Sequence, residues 1–89
     1  MSQEPFRNYL GEVEDALNEA SPVLQPNQIA EVRHLIDHGE PAEALRTLAW
    51  IFNDSNVVPA TELRSKIMSL VANLVPDADM PESFRTPTP

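Results

Sequence analysis

One stretch of the sequence has the residue types and spacing of a metal site. Glu31 precedes His34 by three residues, and His38 follows His34 by four. In a helix these spacings place the three side chains on one face, and a Glu-x-x-His pair is a building block of di-metal carboxylate bundles. Such bundles need several helices with inward ligands, whereas this face is polar and no other stretch supplies a matching pair. We therefore expect two solvated histidines, no metal and no other cofactor.

Other catalytic arrangements lack their essential parts. No histidine and acid are placed around Ser55 or Ser65, and the chain has no cysteine to serve as a nucleophile. Gly11 and Gly39 are the only glycines, so there is no phosphate-binding loop. Carboxylates are abundant, but acid–base catalysis needs a pocket that shifts their pKa values. We predict no catalytic residues and no enzyme, and a metal-dependent enzyme that uses the two histidines stays a further hypothesis.

The charge of the chain restricts its partners. Fourteen acidic residues against six basic ones give a net charge of −8. Nucleic acids and anionic membranes require Lys and Arg, so neither is an expected ligand. An acidic protein is attracted instead to a basic protein partner, although acidity can also serve solubility alone.

Two groups of residues are candidates for binding such a partner. Glu12, Asp15 and Glu19 recur at three and four residues, and like charges so spaced cost a few tenths of a kcal/mol per pair. A basic partner would offset that cost; a simple solvated face is the alternative. Trp50 is a favoured type of interface anchor, unless the first helix or the C-terminal tail covers it. The predicted partner-binding residues are Glu12, Asp15, Glu19, Glu43, Trp50 and Asp54.

Apolar residues at steps of three and four predict the helices that carry these side chains. Four helices are expected, at Pro5 to Ala20, Pro26 to His38, Glu40 to Asn53 and Pro59 to Val75. The third is the most apolar and is expected at the centre. Gly39 and Pro41 mark a tight turn before it, since Gly ends helices and Pro is tolerated in a first turn.

The resulting fold class is all-α, a compact four-helix bundle with a proline-rich C-terminal tail. The expected core is formed by Phe6, Leu10, Val13, Leu17, Ile29, Val32, Ile36, Ala44, Leu45, Leu48, Ala49, Phe52, Leu63, Ile67, Leu70 and Leu74. Residues 1–76 form the four-helix domain, and residues 77–89 form an extended acidic tail that Met80 and Phe84 could anchor. With no signal peptide and no apolar run of about 20 residues, we expect a cytoplasmic protein without a membrane partner.

The segment EVRHLIDHGEPAEALRTLAWIFNDSNVVPATELRSKIMSLVANL, roughly half the chain, carries a family resemblance. It is similar to small bacterial immunity proteins of the Maf immunity type, found beside polymorphic toxins of the contact-dependent inhibition kind. They share an apolar helix with a Gly-Glu turn, an Ala/Leu-rich helix, a polar loop and an apolar pair before Pro. The matching residues are Val32, Leu35, Ile36, His38, Gly39, Glu40, Ala44, Leu45, Leu48, Val58, Pro59, Leu63 and Ile67.

The resemblance implies a protein that binds one cognate toxin domain, one to one, and blocks it inside the producing cell. Many such toxins are nucleases with basic clefts, which an acidic inhibitor would suit. The chain lacks the tyrosine pair of the colicin nuclease immunity proteins, so no binding position is transferred. Our alternative is a small helical adaptor or a homo-oligomeric assembly subunit, such as a homodimer through an exposed apolar face, without a toxin partner.

Overall fold

Four α-helices make up most of the described part of the chain. In the computed structural model, which describes residues 4–85, they are α1 (Glu4–Ala20), α2 (Pro26–Asp37), α3 (Pro41–Asp54) and α4 (Thr61–Val71). Short 3₁₀ turns lie at Ser21–Val23, Asp77–Asp79 and Glu82–Phe84. Helices α1 and α3 each contact all three other helices, and α2 and α4 pack mainly against those two. The predicted all-α bundle is confirmed; residues 1–3 and the last part of the predicted tail, 86–89, lie outside the described residues.

The core follows the predicted helical pattern closely. The fully buried residues on the predicted stripes are Val13, Leu17, Val32, Ile36, Ala44, Leu45, Leu48, Ala49, Phe52, Leu63 and Ile67. Leu10, Ile29 and Leu70 are half-buried at its edge. Helix α3 supplies five of the buried residues on these stripes, which agrees with its expected central position.

The prediction of the core is wrong at two residues, which are exposed. Phe6 lies in the first turn of α1 and is 50% exposed. Leu74 is 60% exposed because α4 ends at Val71, short of the predicted Val75. The amides of Leu74 and Val75 both donate to the Val71 oxygen, so the chain tightens into a turn ahead of Pro76. The turn rotates Leu74 outward and buries Val75 in its place.

The turn between α2 and α3 depends on Gly39. The Glu40 amide donates to the Leu35 oxygen and the Gly39 amide to the Ile36 oxygen, the two bonds of a Schellman motif. Gly39 has φ +76°, a left-handed conformation that costs other residues about 1–2 kcal/mol. The tight turn allows α2 and α3 to pack together.

Gly39→Ala is expected to lower the free energy of unfolding by about 1 kcal/mol because of this backbone strain. Gly11→Ala is the matched control. A Cβ at either position meets nothing within 4 Å, so only the backbone conformation differs. Gly11 lies inside helix α1, where alanine should stabilise by about 0.5–1 kcal/mol. Urea denaturation measures both, and equal effects of the same sign would contradict the role given to φ at Gly39.

The C-terminal segment of residues 77–85 departs from the extended conformation predicted for it. Two 3₁₀ turns shape it, and Met80 and Phe84, the expected anchors, are 1% and 2% exposed. Arg64 Nε on α4 donates to the Ser83 oxygen at 2.6 Å, and Arg85 Nε donates to the Met80 oxygen at 2.9 Å. The prolines prevent an α-helix here, but the segment still contributes Met80 and Phe84 to the core.

Tyr9 connects α1 to the last turn of α4. Its hydroxyl donates to the main-chain oxygen of Leu70 at 2.9 Å. Partial burial raises the pKa of Tyr9, because a phenolate would lose hydration there. The folded chain therefore favours the neutral phenol more than the unfolded chain does.

Tyr9→Phe is expected to cost about 1 kcal/mol near neutral pH through loss of this hydrogen bond. The cost should shrink above pH ~10, where the unfolded tyrosine ionises first and the wild-type chain loses stability until the folded pKa is passed. Urea denaturation of both proteins at rising pH measures the difference. Tyrosinate absorbance reports this residue alone, since the chain has one tyrosine. A difference that stays constant with pH would contradict the prediction.

Candidate functional site

The predicted acidic face lies along the exposed side of α1. Glu12, Asp15 and Glu19 are all exposed. Glu19 Oε1 lies 3.6 Å from Lys66 Nζ on α4, whereas Glu12 and Asp15 form no ion pair within residues 4–85. We call these three residues the α1 acidic face. It holds three negative charges and one compensating cation at its C-terminal end, so it attracts positive charge.

Trp50 is held by the C-terminal segment. Its indole Nε1 donates to the main-chain oxygen of Asp79 at 2.8 Å, and the side chain is half-buried. The sequence left two elements that could cover Trp50, the first helix and the C-terminal tail. The structure shows that the tail contacts it. A partner that used Trp50 as an anchor would reach only the part of the ring that the tail leaves exposed.

Two of the other predicted residues lie beside each other. Trp50 and Asp54 line a cleft of about 300 Å³, together with Arg46. Glu43 does not line the cleft; it pairs with Arg46 Nη2 at 3.0 Å, three residues along the same helix. Both side chains of that pair are partly exposed, so it contributes only a few tenths of a kcal/mol. Five of the six predicted residues thus fall on two separate surfaces, the α1 acidic face and the Trp50 cleft, and Glu43 lies outside both, paired with Arg46.

A third surface was not predicted. A groove of about 540 Å³ lies between the end of α1 and the start of α4. Val23 and Val58 form exposed walls, and the buried side chains Phe52 and Leu63 form part of its floor. We call it the Val23–Val58 groove. The sequence contains one indication of this groove. Val23 and Val58 are apolar residues of predicted loops, so no helical period directs them into the core.

The groove shares a residue with the α1 acidic face. Glu19 lines both, and Glu62 and Lys66 of α4 complete the charged rim. Apolar walls beside acidic side chains are arranged as in many protein interfaces, where an apolar centre is surrounded by a polar rim. This arrangement can bind a complementary protein surface.

The histidine pair behaves as a surface feature. His34 and His38 are exposed, their ring centroids lie 4.0 Å apart, and His38 Nδ1 lies 2.8 Å from the His34 oxygen. Within residues 4–85 no group of three or more potential ligands is placed to hold a metal ion. The same part of the chain has no helix with the length and apolarity required to cross a membrane.

Comparison with known proteins identifies no relative. No protein-family model, no curated protein and no solved structure matches the chain. The fold and surfaces define the class, an acidic all-α bundle with an apolar groove beside its acidic face. The resemblance to the Maf immunity type stays a prediction.

Proposed function

We propose that the protein is an immunity protein, which binds a cognate bacterial toxin domain one to one in the cytoplasm and neutralises it by occlusion. The observation that carries the proposal is the position of Glu19. It ends the α1 acidic face and also lines the Val23–Val58 groove. Charge for attraction and apolar surface for affinity therefore adjoin on one side of the molecule.

The two parts have different physical roles in this proposal. The net charge of −8 and the acids of α1 steer the protein toward a basic surface, such as the substrate cleft of a nuclease. Steering mainly raises the association rate. Affinity comes from apolar groups that lose water at the centre of the interface. Occlusion needs no catalytic residue, which agrees with the absence of a catalytic motif in the sequence.

The test is rescue from toxicity. Each open reading frame adjacent to the gene for this chain is expressed inducibly, with and without the chain, and growth is recorded. We expect one toxic product whose effect the chain abolishes, and a purified complex of one copy of each by sedimentation. The toxin's activity, assayed in vitro, should fall to background at equimolar chain.

The alternative function, a homo-oligomeric assembly subunit, gives a different result. It predicts no rescue by the chain and a dimer at low micromolar concentration in sedimentation. The exposed apolar side chains of Val23 and Val58 favour this alternative, because a second copy of the chain could cover them. Rescue together with a monomeric free chain would exclude it, and a dimer without rescue would overturn the immunity proposal.

A further inference from the structure

We infer that the Val23–Val58 groove docks a short segment of a partner protein in which an apolar side chain stands next to Lys or Arg. The inference deepens the proposed function, and it rests on that function only for assigning the segment to a toxin domain. The shape, exposure and charge of the groove support the inference, and synthetic peptides test it without a toxin domain.

The walls of the groove favour a protein segment over a small molecule. Val58 is 89% exposed and Val23 is 55% exposed, although both are apolar. The volume of about 540 Å³ lies within the range of ligand sites. However, sites for small molecules bury most of the ligand, and walls this exposed cannot enclose one. A segment that inserts one side chain and covers the rim with its backbone would bury both valines.

The charges at the rim specify the neighbouring residue of the segment. Glu19 and Glu62 carry two negative charges, and Lys66 supplies one positive charge that already lies 3.6 Å from Glu19. Glu62 has no ion-pair partner among residues 4–85. A Lys or Arg beside the inserted side chain can therefore pair with Glu62, and the remaining α1 acidic face extends the same field.

A second copy of this chain is a poor occupant. Each copy carries a net charge of −8, so two copies repel. Five of the six basic side chains are already engaged: Arg33 with Glu14, Arg46 with Glu43, Lys66 with Glu19, Arg64 with the Ser83 oxygen and Arg85 with the Met80 oxygen. In the described part of the chain this leaves Arg7, next to the half-exposed Phe6, as the apolar–basic pair that a second copy can offer, and its single positive charge offsets little of the repulsion between two copies.

The experiment titrates the ¹⁵N-labelled full chain with three synthetic peptides and follows its amide resonances. GSRKLWRKGS has apolar and basic residues, GSQNLWQNGS keeps only the apolar pair, and GSRKSGRKGS keeps only the charges. We expect the first peptide to shift the amides of Val23, Val58 and Ala60, with a dissociation constant of about 0.1–1 mM. Each of the other two should bind at least about fivefold more weakly.

Matched variants locate the site. Val58→Ser should weaken the first peptide about fivefold without affecting folding, because the side chain is exposed. Leu74→Ser removes another exposed apolar side chain, which is 60% exposed and lies outside the groove, and should leave binding unchanged. Glu62→Gln should weaken only the two basic peptides, by about two- to fivefold.

Each result that would contradict the inference points to a different conclusion about the groove. No shift with GSRKLWRKGS, equal binding of the peptide without apolar residues, or shifts confined to the Trp50 cleft would overturn the assignment of the groove. Peptide-free shifts that grow with protein concentration, with a dimer in sedimentation, would give the groove to a second copy. If the chain rescues growth but no peptide binds, the immunity proposal stands and the groove assignment fails. If the peptide binds but the chain does not rescue growth, the groove assignment stands and the immunity proposal fails.

Discussion

Replacing Phe84 with alanine is expected to remove about 3–5 kcal/mol from the free energy of unfolding. Phe84 is 2% exposed and stacks on Phe52 of α3, with ring centroids 6.3 Å apart and planes 28° apart. Its removal leaves a cavity beside the central helix, because the neighbouring backbone is already held in place. The Met80 amide donates to the Asp77 oxygen, and Arg85 Nε donates to the Met80 oxygen. A domain of this size has about 5–15 kcal/mol of stability in total, so the loss is a large fraction. Urea denaturation followed by far-UV circular dichroism measures it.

Phe6→Ala is the matched control, because the chemical change is identical and Phe6 is 50% exposed. Its cost should stay below about 1 kcal/mol. The helical pattern does not predict this order, since it places Phe6 in the core and Phe84 outside the four helices, as a possible anchor of the tail. A larger loss for Phe6→Ala than for Phe84→Ala would mean that the C-terminal segment is not part of the folded core.

The helices were predictable because their cause is local. A period of three and four residues decides which side chains face inward, and Gly39 and Pro41 fix where one helix ends and the next begins. Helix α3 illustrates this, since its predicted range of Glu40 to Asn53 differs from the observed Pro41–Asp54 by one residue at each end.

The parts that sequence reasoning missed depend on distant contacts. Phe84 was expected as a possible anchor of residues 77–85, but the sequence does not identify Phe52 as the side chain that it packs against. The outward position of Leu74 depends on the turn after Val71, which shifts the register by one residue and buries Val75 instead. The same limit applies to the groove, because Val23 and Val58 are 35 residues apart in the sequence and line one groove only when α1 packs on α4.

The candidate site was predictable in its charge and not in its shape. Glu12, Asp15 and Glu19 had to share a helix face once the helix was established, and they are exposed in the structure. The sequence does not predict whether Trp50 is free to act as an anchor, because an indole donor tends to find a partner within the chain when it is partly buried. Here the partner is the Asp79 oxygen. Because the C-terminal segment contacts Trp50, the α1 acidic face and the adjoining groove are the more accessible binding surface.

Reversing two charges of that face, Glu12→Lys with Asp15→Lys, should slow association with the proposed toxin partner about tenfold at low salt. Both side chains are exposed and unpaired within residues 4–85, so folding should be unaffected. Asp37→Lys with Glu82→Lys is the matched control: it also reverses one Asp and one Glu, both exposed, so either variant carries −8 + 4 = −4. Stopped-flow association rates separate local steering from net charge.

The effect of these charge reversals should depend on the salt concentration. At about 10 mM salt the screening length is roughly 30 Å, and at about 0.15 M it is roughly 8 Å. The difference between the two variants should therefore be largest at low salt and shrink toward physiological salt, while the dissociation rates stay similar because the reversed charges surround the apolar contact without forming it. Equal association rates for the two variants at low salt would show that the acids of α1 are ordinary solvated residues. The binding face would then have to be sought at the Trp50 cleft, where Asp54→Lys makes the corresponding test.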